Sequence, residues 1–251
     1  MGEARHYPFF LDRMVKGEFW FPGMERTLDT LLALLILIKT LPGMSPIGYN
    51  TIMKIIGLIG YIHVNLNNIE LVQNWINEVS PDFCLQVGDY FAYDVEWNCP
   101  VYWIFGNHEN GQVIQEILAN NHVHPKNNNW LIGGHTKIQG VNIMALPGLP
   151  QNRMTPGPAK FPVNVYKLCW EYEGDIDIFI SHGCAFPFFS MIGNELINCE
   201  EKEITELVRK VRPKVAVSGH NHKFEKSEQE GIRCVRLGCM GKELIDVLMV
   251  E

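Results

Sequence analysis

Phe105-Gly106-Asn107-His108-Glu109 follows directly on the apolar run Val101 to Phe105. An apolar run that stops at a glycine and then presents an amide, an imidazole and a carboxylate reads as a buried strand delivering polar groups to a sheet edge. That edge is where α/β sheets bind ligands. Val87-Gly88-Asp89, Ile180-Ser181-His182-Gly183 and Val217-Ser218-Gly219-His220-Asn221-His222 repeat the pattern of strand, Gly or Ser, then metal-capable side chain. Strand ends carrying His, Asp and Asn in this way point to one shared site, and imidazole among the donors suits Mn, Fe, Zn or Ni.

The elements that must hold these residues can be read from apolar periodicity. Lys54 to Ile59 predicts a buried strand, and Asn67 to Val79 a helix through Ile69, Val72, Trp75, Ile76 and Val79. Strands follow at Asp82 to Val87 and Val101 to Phe105, then a helix at Gln112 to Ala119. Strand, helix, strand implies parallel pairing with right-handed crossovers. Short strands at Trp130 to Ile132, Thr136 to Ile138 and Val141 to Leu146, set among Gly133, Gly134 and Gly140, predict a hairpin and hence a mixed or second sheet. Gly148 to Pro162 and Phe186 to Asn198 read as loops forming the rim of a cleft. Ile176 to Ile180, Lys214 to Val217, Cys234 to Leu237 and Leu244 to Val250 read as strands, and Glu200 to Val211 as a helix.

Residues 1–52 differ in character. Their aromatic start leads into Leu31 to Ile38, closed by Pro42-Gly43, which predicts an apolar helix over about Glu25 to Leu41. The run is about half of the ~20 apolar residues that a membrane span requires. It is expected to seek a partner surface, on another protein or on a second copy of the chain, the other readings being membrane association and a segment outside the functional fold, while residues 53–251 form the functional domain.

Composition narrows the function classes. At 251 residues and 47% hydrophobic the chain can bury a large core. A net charge of -7 and a pI of about 5.7 exclude a basic nucleic-acid footprint, though not a nucleotide or a strand end held through cations. The 7 cysteines contain no C-x-x-C pair, which predicts free thiols and a reducing, cytoplasmic setting.

Taken in order, Gly60-Tyr61-Ile62-His63, Gly88-Asp89, Gly106-Asn107-His108-Glu109, Ser181-His182-Gly183 and Gly219-His220-Asn221-His222 resemble the motifs of the calcineurin-like metallophosphoesterases. Those motifs are D-x-H, G-D, G-N-H-E/D, a lone His and G-H-x-H. The resemblance implies an α/β (α+β) four-layer sandwich, two mixed β-sheets flanked by helices, with one or two divalent cations at the strand ends. It implies one metal on His63, Asp89 and His222 and another on Asp89, Asn107, His182 and His220, so that Asp89 bridges. Mn is the first expectation, with Fe, Zn or Ni as others. Two cations ~3.5–4 Å apart share a hydroxide and clamp an in-line displacement. His108 is implied to face the phosphate, and Glu109 to orient a ligand from behind.

Tyr61 departs from the motif, because the family places an aspartate there and a phenol with a pKa near 10 is a poorer ligand. Val64 also replaces the usual glycine. RNA lariat debranching enzymes are similar in lacking that aspartate, and in the wording of Ile176 to His182 and of Gly133 to Ala145. Tyr61 is left with three readings: filling the vacated space, contacting substrate, or binding metal. Arg153 is the only basic rim candidate of note. The implied activity is hydrolysis of a phosphodiester, of a nucleotide or a nucleic-acid end among other substrates; the rival reading is a scaffold on the same fold.

Overall fold

The structure is a computed structural model that describes residues 53–251, apart from 64, 120, 150–162, 188, 193–194, 199, 240–243 and 251. The apolar helix expected over Glu25 to Leu41 and the rim residue Arg153 lie outside the described residues.

The strands are β1 (Lys54–Ile59), β2 (Phe83–Gln86), β3 (Val101–Trp103), β4 (Asn128–Trp130), β5 (Gly134–Ile138), β6 (Val141–Leu146), β7 (Ile178–Ser181), β8 (Phe189–Ile192), β9 (Glu195–Asn198), β10 (Val215–Ser218), β11 (Glu225–Gln229), β12 (Ile232–Arg236) and β13 (Ile245–Val250). The helices are α1 (Leu66–Val79), α2 (Gly111–Leu118), α3 (Val163–Glu171) and α4 (Lys202–Val211). One sheet has the order β13-β1-β2-β3-β4 and the other β11-β12-β10-β7-β6-β5. In the first, β1 to β4 run parallel and β13 joins β1 antiparallel. In the second, β12, β10, β7 and β6 run parallel between antiparallel edges. The fold is therefore the expected sandwich of two mixed sheets flanked by helices.

Alternation along the strands builds the layers. Ile56 and Leu58 of β1 face Ile143 and Ala145 of β6, Ile178 and Ile180 of β7, and Val215 and Val217 of β10 in one core between the sheets. Each such buried aliphatic side chain contributes roughly 1.5–3 kcal/mol. The opposite face of the second sheet, through Met144, Phe179 and Ala216, packs with Val165 and Cys169 of α3 and with Ile204, Leu207 and Val208 of α4. On the first sheet, a Cβ at Gly57 would lie 2.9 Å from the Trp75 ring, so a glycine lets α1 pack closely on β1.

Several boundaries differ from the sequence reading. The predicted strand at Trp130 to Ile132 starts earlier, because the Asn128 amide accepts from Trp103 Nε1 at 2.8 Å and donates to the carbonyls of Ala92, Tyr93 and Val95. The Phe186 to Asn198 loop contains the β8–β9 hairpin, whose strands flank Gly193-Asn194, a two-residue turn signal. Helix α3 and the charged edge strand β11 were not expected. Tyr90, Tyr93 and Trp97 are buried in the core. Among the described residues no cysteine is in a disulfide, and no helix is long and apolar enough to cross a membrane.

Candidate metal centre

Five parallel strands, drawn from both sheets, end on one side of the sandwich. β1 leads into Tyr61 and His63, β2 into Asp89, β3 into Asn107 and His108, β7 into His182, and β10 into His220 and His222. The loop after β3 turns straight into α2, whose first turn is capped by Asn110 Oδ1 accepting from Gln112 N at 3.0 Å. That cap fixes the chain direction just beyond His108 and Glu109.

Glycines make this convergence possible. Gly88 has φ +97°, and a Cβ there would run into His182 Nδ1. At Gly106 a Cβ would collide with Asp89 and would lie 2.7 Å from His182 Cε1. The loops after β2 and β3 and the His182 ring can touch only because these two positions lack side chains. Both glycines were read from sequence as punctuation alone.

The group is buried at its floor and open at its rim. Asp89 and His182 are fully buried, Asn107, His63 and His220 are half-buried, and His108 and His222 are exposed. His182 Nδ1 donates to the Val87 carbonyl at 3.0 Å, which leaves Nε2 with its lone pair in the neutral ring. That Nε2 lies 2.6 Å from Asn107 Oδ1, itself an acceptor, and His220 Nδ1 approaches the same oxygen at 3.0 Å. Burial holds the His63 and His182 imidazoles below their ordinary pKa and pushes His220 down to about 4, with His222 adding to the depression there. In the neutral ring the His182 Nε2 lone pair thus faces the Asn107 oxygen with no proton between them, an opposition that a cation would relieve.

Asp89 leads to the same conclusion. Its Oδ1 accepts from His108 N at 2.9 Å, while the buried Oδ2 has no hydrogen-bond partner and lies 3.8 Å from His182 Nε2. A buried carboxylate oxygen without a partner is costly. His63, Asp89 and His222 each offer a donor atom, all within 4.8 Å of one another. The residues present fit a metal. His63, Asp89, His220 and His222 all take left-handed backbone, at φ 48°, 51°, 70° and 55°. Such strain costs of order 1–3 kcal/mol per residue and persists where the surroundings dictate it, as functional sites do.

Behind the donors, Glu109 is buried and accepts from Tyr90 N at 2.8 Å, from Gly106 N at 3.1 Å and from Tyr93 Oη. It thereby ties the loop after β2 to the loop after β3. Burial pushes its pKa up to about 7 against these hydrogen bonds. Two contributors were not anticipated. Cys184 Sγ accepts from Asn221 Nδ2 at 3.0 Å, bracing the loop that carries His220 and His222. Phe91, at φ 54°, sets its ring 6.2 Å from that of His63. Neither position carries a signal in the sequence. Tyr61 is fully buried, its ring 4.9 Å from His222, 5.4 Å from His182 and 5.6 Å from His63. His124 and His135 are exposed and His122 half-buried.

Comparison with known proteins agrees with the fold. Residues 55–224 match the sequence profile of the calcineurin-like phosphoesterase family. One crystal structure covers 75% of this chain and 91% of its own at 13% identity, with a TM-score of 0.60. The protein TT1561 of Thermus thermophilus aligns over 75% and 90% of the two chains at 13% identity, with a TM-score of 0.55. No curated protein sequence matches the chain.

Proposed function

Because the chain belongs to the calcineurin-like phosphoesterase family, we propose that it is a metal-dependent phosphodiesterase, with His63, Asp89 and His222 holding one divalent cation and Asp89, Asn107, His182 and His220 a second. The observation that carries this reading is the buried, unpartnered Asp89 Oδ2 at the point where five strand ends meet. Manganese is the first choice of metal, and bound cations would supply charge neutralisation and an activated water.

The protein's own groups do the rest. His182 is fixed in the tautomer that presents Nε2 by its bond to Val87, and Asn107 and His220 converge on the same point. His108 is pinned through its backbone by Asp89 Oδ1, but its imidazole is exposed at the rim, free to reach a phosphoryl oxygen or to protonate a leaving oxygen. The five donor-bearing strand-end segments carry no arginine, which favours a monoanionic diester over a dianionic monoester. The substrate class includes nucleotides and nucleic-acid ends, and the setting is a reducing, cytoplasmic one.

The test is hydrolysis of an aryl phosphodiester with added manganese. Wild type should exceed Asn107→Ala and His108→Ala by about 100-fold or more. Equal rates at saturating metal would sink the proposal.

A further inference from the structure

We infer that Tyr61 Oη is a fourth protein donor to the cation held by His63, Asp89 and His222, taking the place of a carboxylate with a phenol oxygen. The inference rests on the metal-dependent reading above and deepens it. Three observations carry it.

Tyr61 is completely buried, so it can neither form part of the rim nor contact a substrate from solvent. Its hydroxyl has no hydrogen-bond partner. Buried tyrosine hydroxyls ordinarily find one. The ring is also enclosed by imidazoles of the centre: stacked on His63, tilted against His222 and edge-on to His182. An aromatic that merely filled space would leave no polar atom to satisfy, and phenylalanine would serve as well.

Gly219 completes the picture. A Cβ at that position would lie 2.6 Å from Tyr61 Oη and 2.8 Å from Cζ, so the absence of a side chain one residue before His220 makes room for the hydroxyl. Backbone bonds hold the tyrosine there, since Gly60 N donates to Leu244 O at 2.7 Å and His63 N to Asp89 O at 3.1 Å. The centre thus contains two buried oxygens without protein partners, Asp89 Oδ2 and Tyr61 Oη. One cation in the His63, Asp89 and His222 group would satisfy both. Coordination would release the phenolic proton to solvent, and the phenolate would favour a hard, highly charged ion.

The experiment strips the full chain of metal and reloads it with ferric iron as a citrate complex, alongside Tyr61→Phe, Tyr61→Asp and Asn107→Ala. Tyr61→Phe keeps the ring and its packing, so a folding defect does not confound the result. Wild type and Asn107→Ala should develop the visible charge-transfer absorption of a phenolate bound to ferric iron, and Tyr61→Phe should lose it. Elemental analysis after manganese loading should give one ion fewer per chain in Tyr61→Phe, and the wild-type number in Tyr61→Asp. A colourless wild type, or equal metal content in wild type and Tyr61→Phe, overturns the inference while leaving the hydrolytic reading intact if diester cleavage is observed. The absorption without diester cleavage supports the ligand and defeats the hydrolytic reading.

Discussion

The two halves of the proposed metal centre are built differently. The half formed by Asn107, His182 and His220 is interlocked: the three side chains meet at one amide oxygen, and His182 is fully buried and tethered to Val87. The half formed by His63 and His222 is looser. His222 is exposed at the rim, and a tyrosine stands where a fourth donor would be. In the proposed arrangement Asp89 alone is shared by both. Affinity should therefore be high and insensitive to loop changes in the interlocked half, and lower and more easily lost in the other.

The largest effect should come from the shared residue. Asp89→Asn keeps the shape but removes the charge common to both halves, and diester hydrolysis should fall by about 1,000-fold or more, with metal content lowered throughout. A variant that kept half its metal would show the halves to be independent. Next, His63→Ala should cost about 10-fold in rate and Asn107→Ala about 100-fold, measured as kcat/KM with manganese; the reverse order would invert the comparison. Glu109→Gln should weaken metal affinity by roughly 10- to 100-fold, read by competition with a chromogenic chelator, because its carboxylate ties the Tyr90 and Gly106 amides together.

The effect furthest from catalysis concerns acid. Burial lowers His220 from 6.5 to about 4, so the unfolded chain takes up its proton first as pH falls. The stability this group contributes is complete above pH 6.5 and is lost as pH drops towards 4, by on the order of 3 kcal/mol. Urea unfolding of metal-free wild type should therefore weaken over that window more than that of His220→Asn. Parallel pH profiles would place the imidazole in contact with water.

Sequence alone carried the parallel strands, because buried strands such as β1 and β7 are largely apolar runs ending at Gly or Ser. It also grouped the donors, because every one follows such a run. It did not carry β11, whose Glu225, Lys226 and Glu228 lack apolar alternation on an exposed edge, nor α3, whose core contacts Val165 and Cys169 come just after a proline-rich stretch. The site's internal order was invisible for a different reason. The role of Cys184 depends on an approach between residues 37 positions apart, and the unmet oxygens of Asp89 and Tyr61 are properties of their surroundings rather than of residue type.

The pairing of β13 with β1, register Lys54 with Val250 to Ile59 with Ile245, joins the strands most distant in sequence. Contacts of such long range close late, because the intervening chain must be ordered before they form. β1 is the strand that delivers Tyr61 and His63, and Gly60 is bonded to Leu244 just before β13. The looser half of the centre is therefore expected to be the last to assemble in refolding. A chain caught before that step would carry a formed second sheet, an open β1 edge prone to aberrant pairing, and only part of its metal-binding capacity.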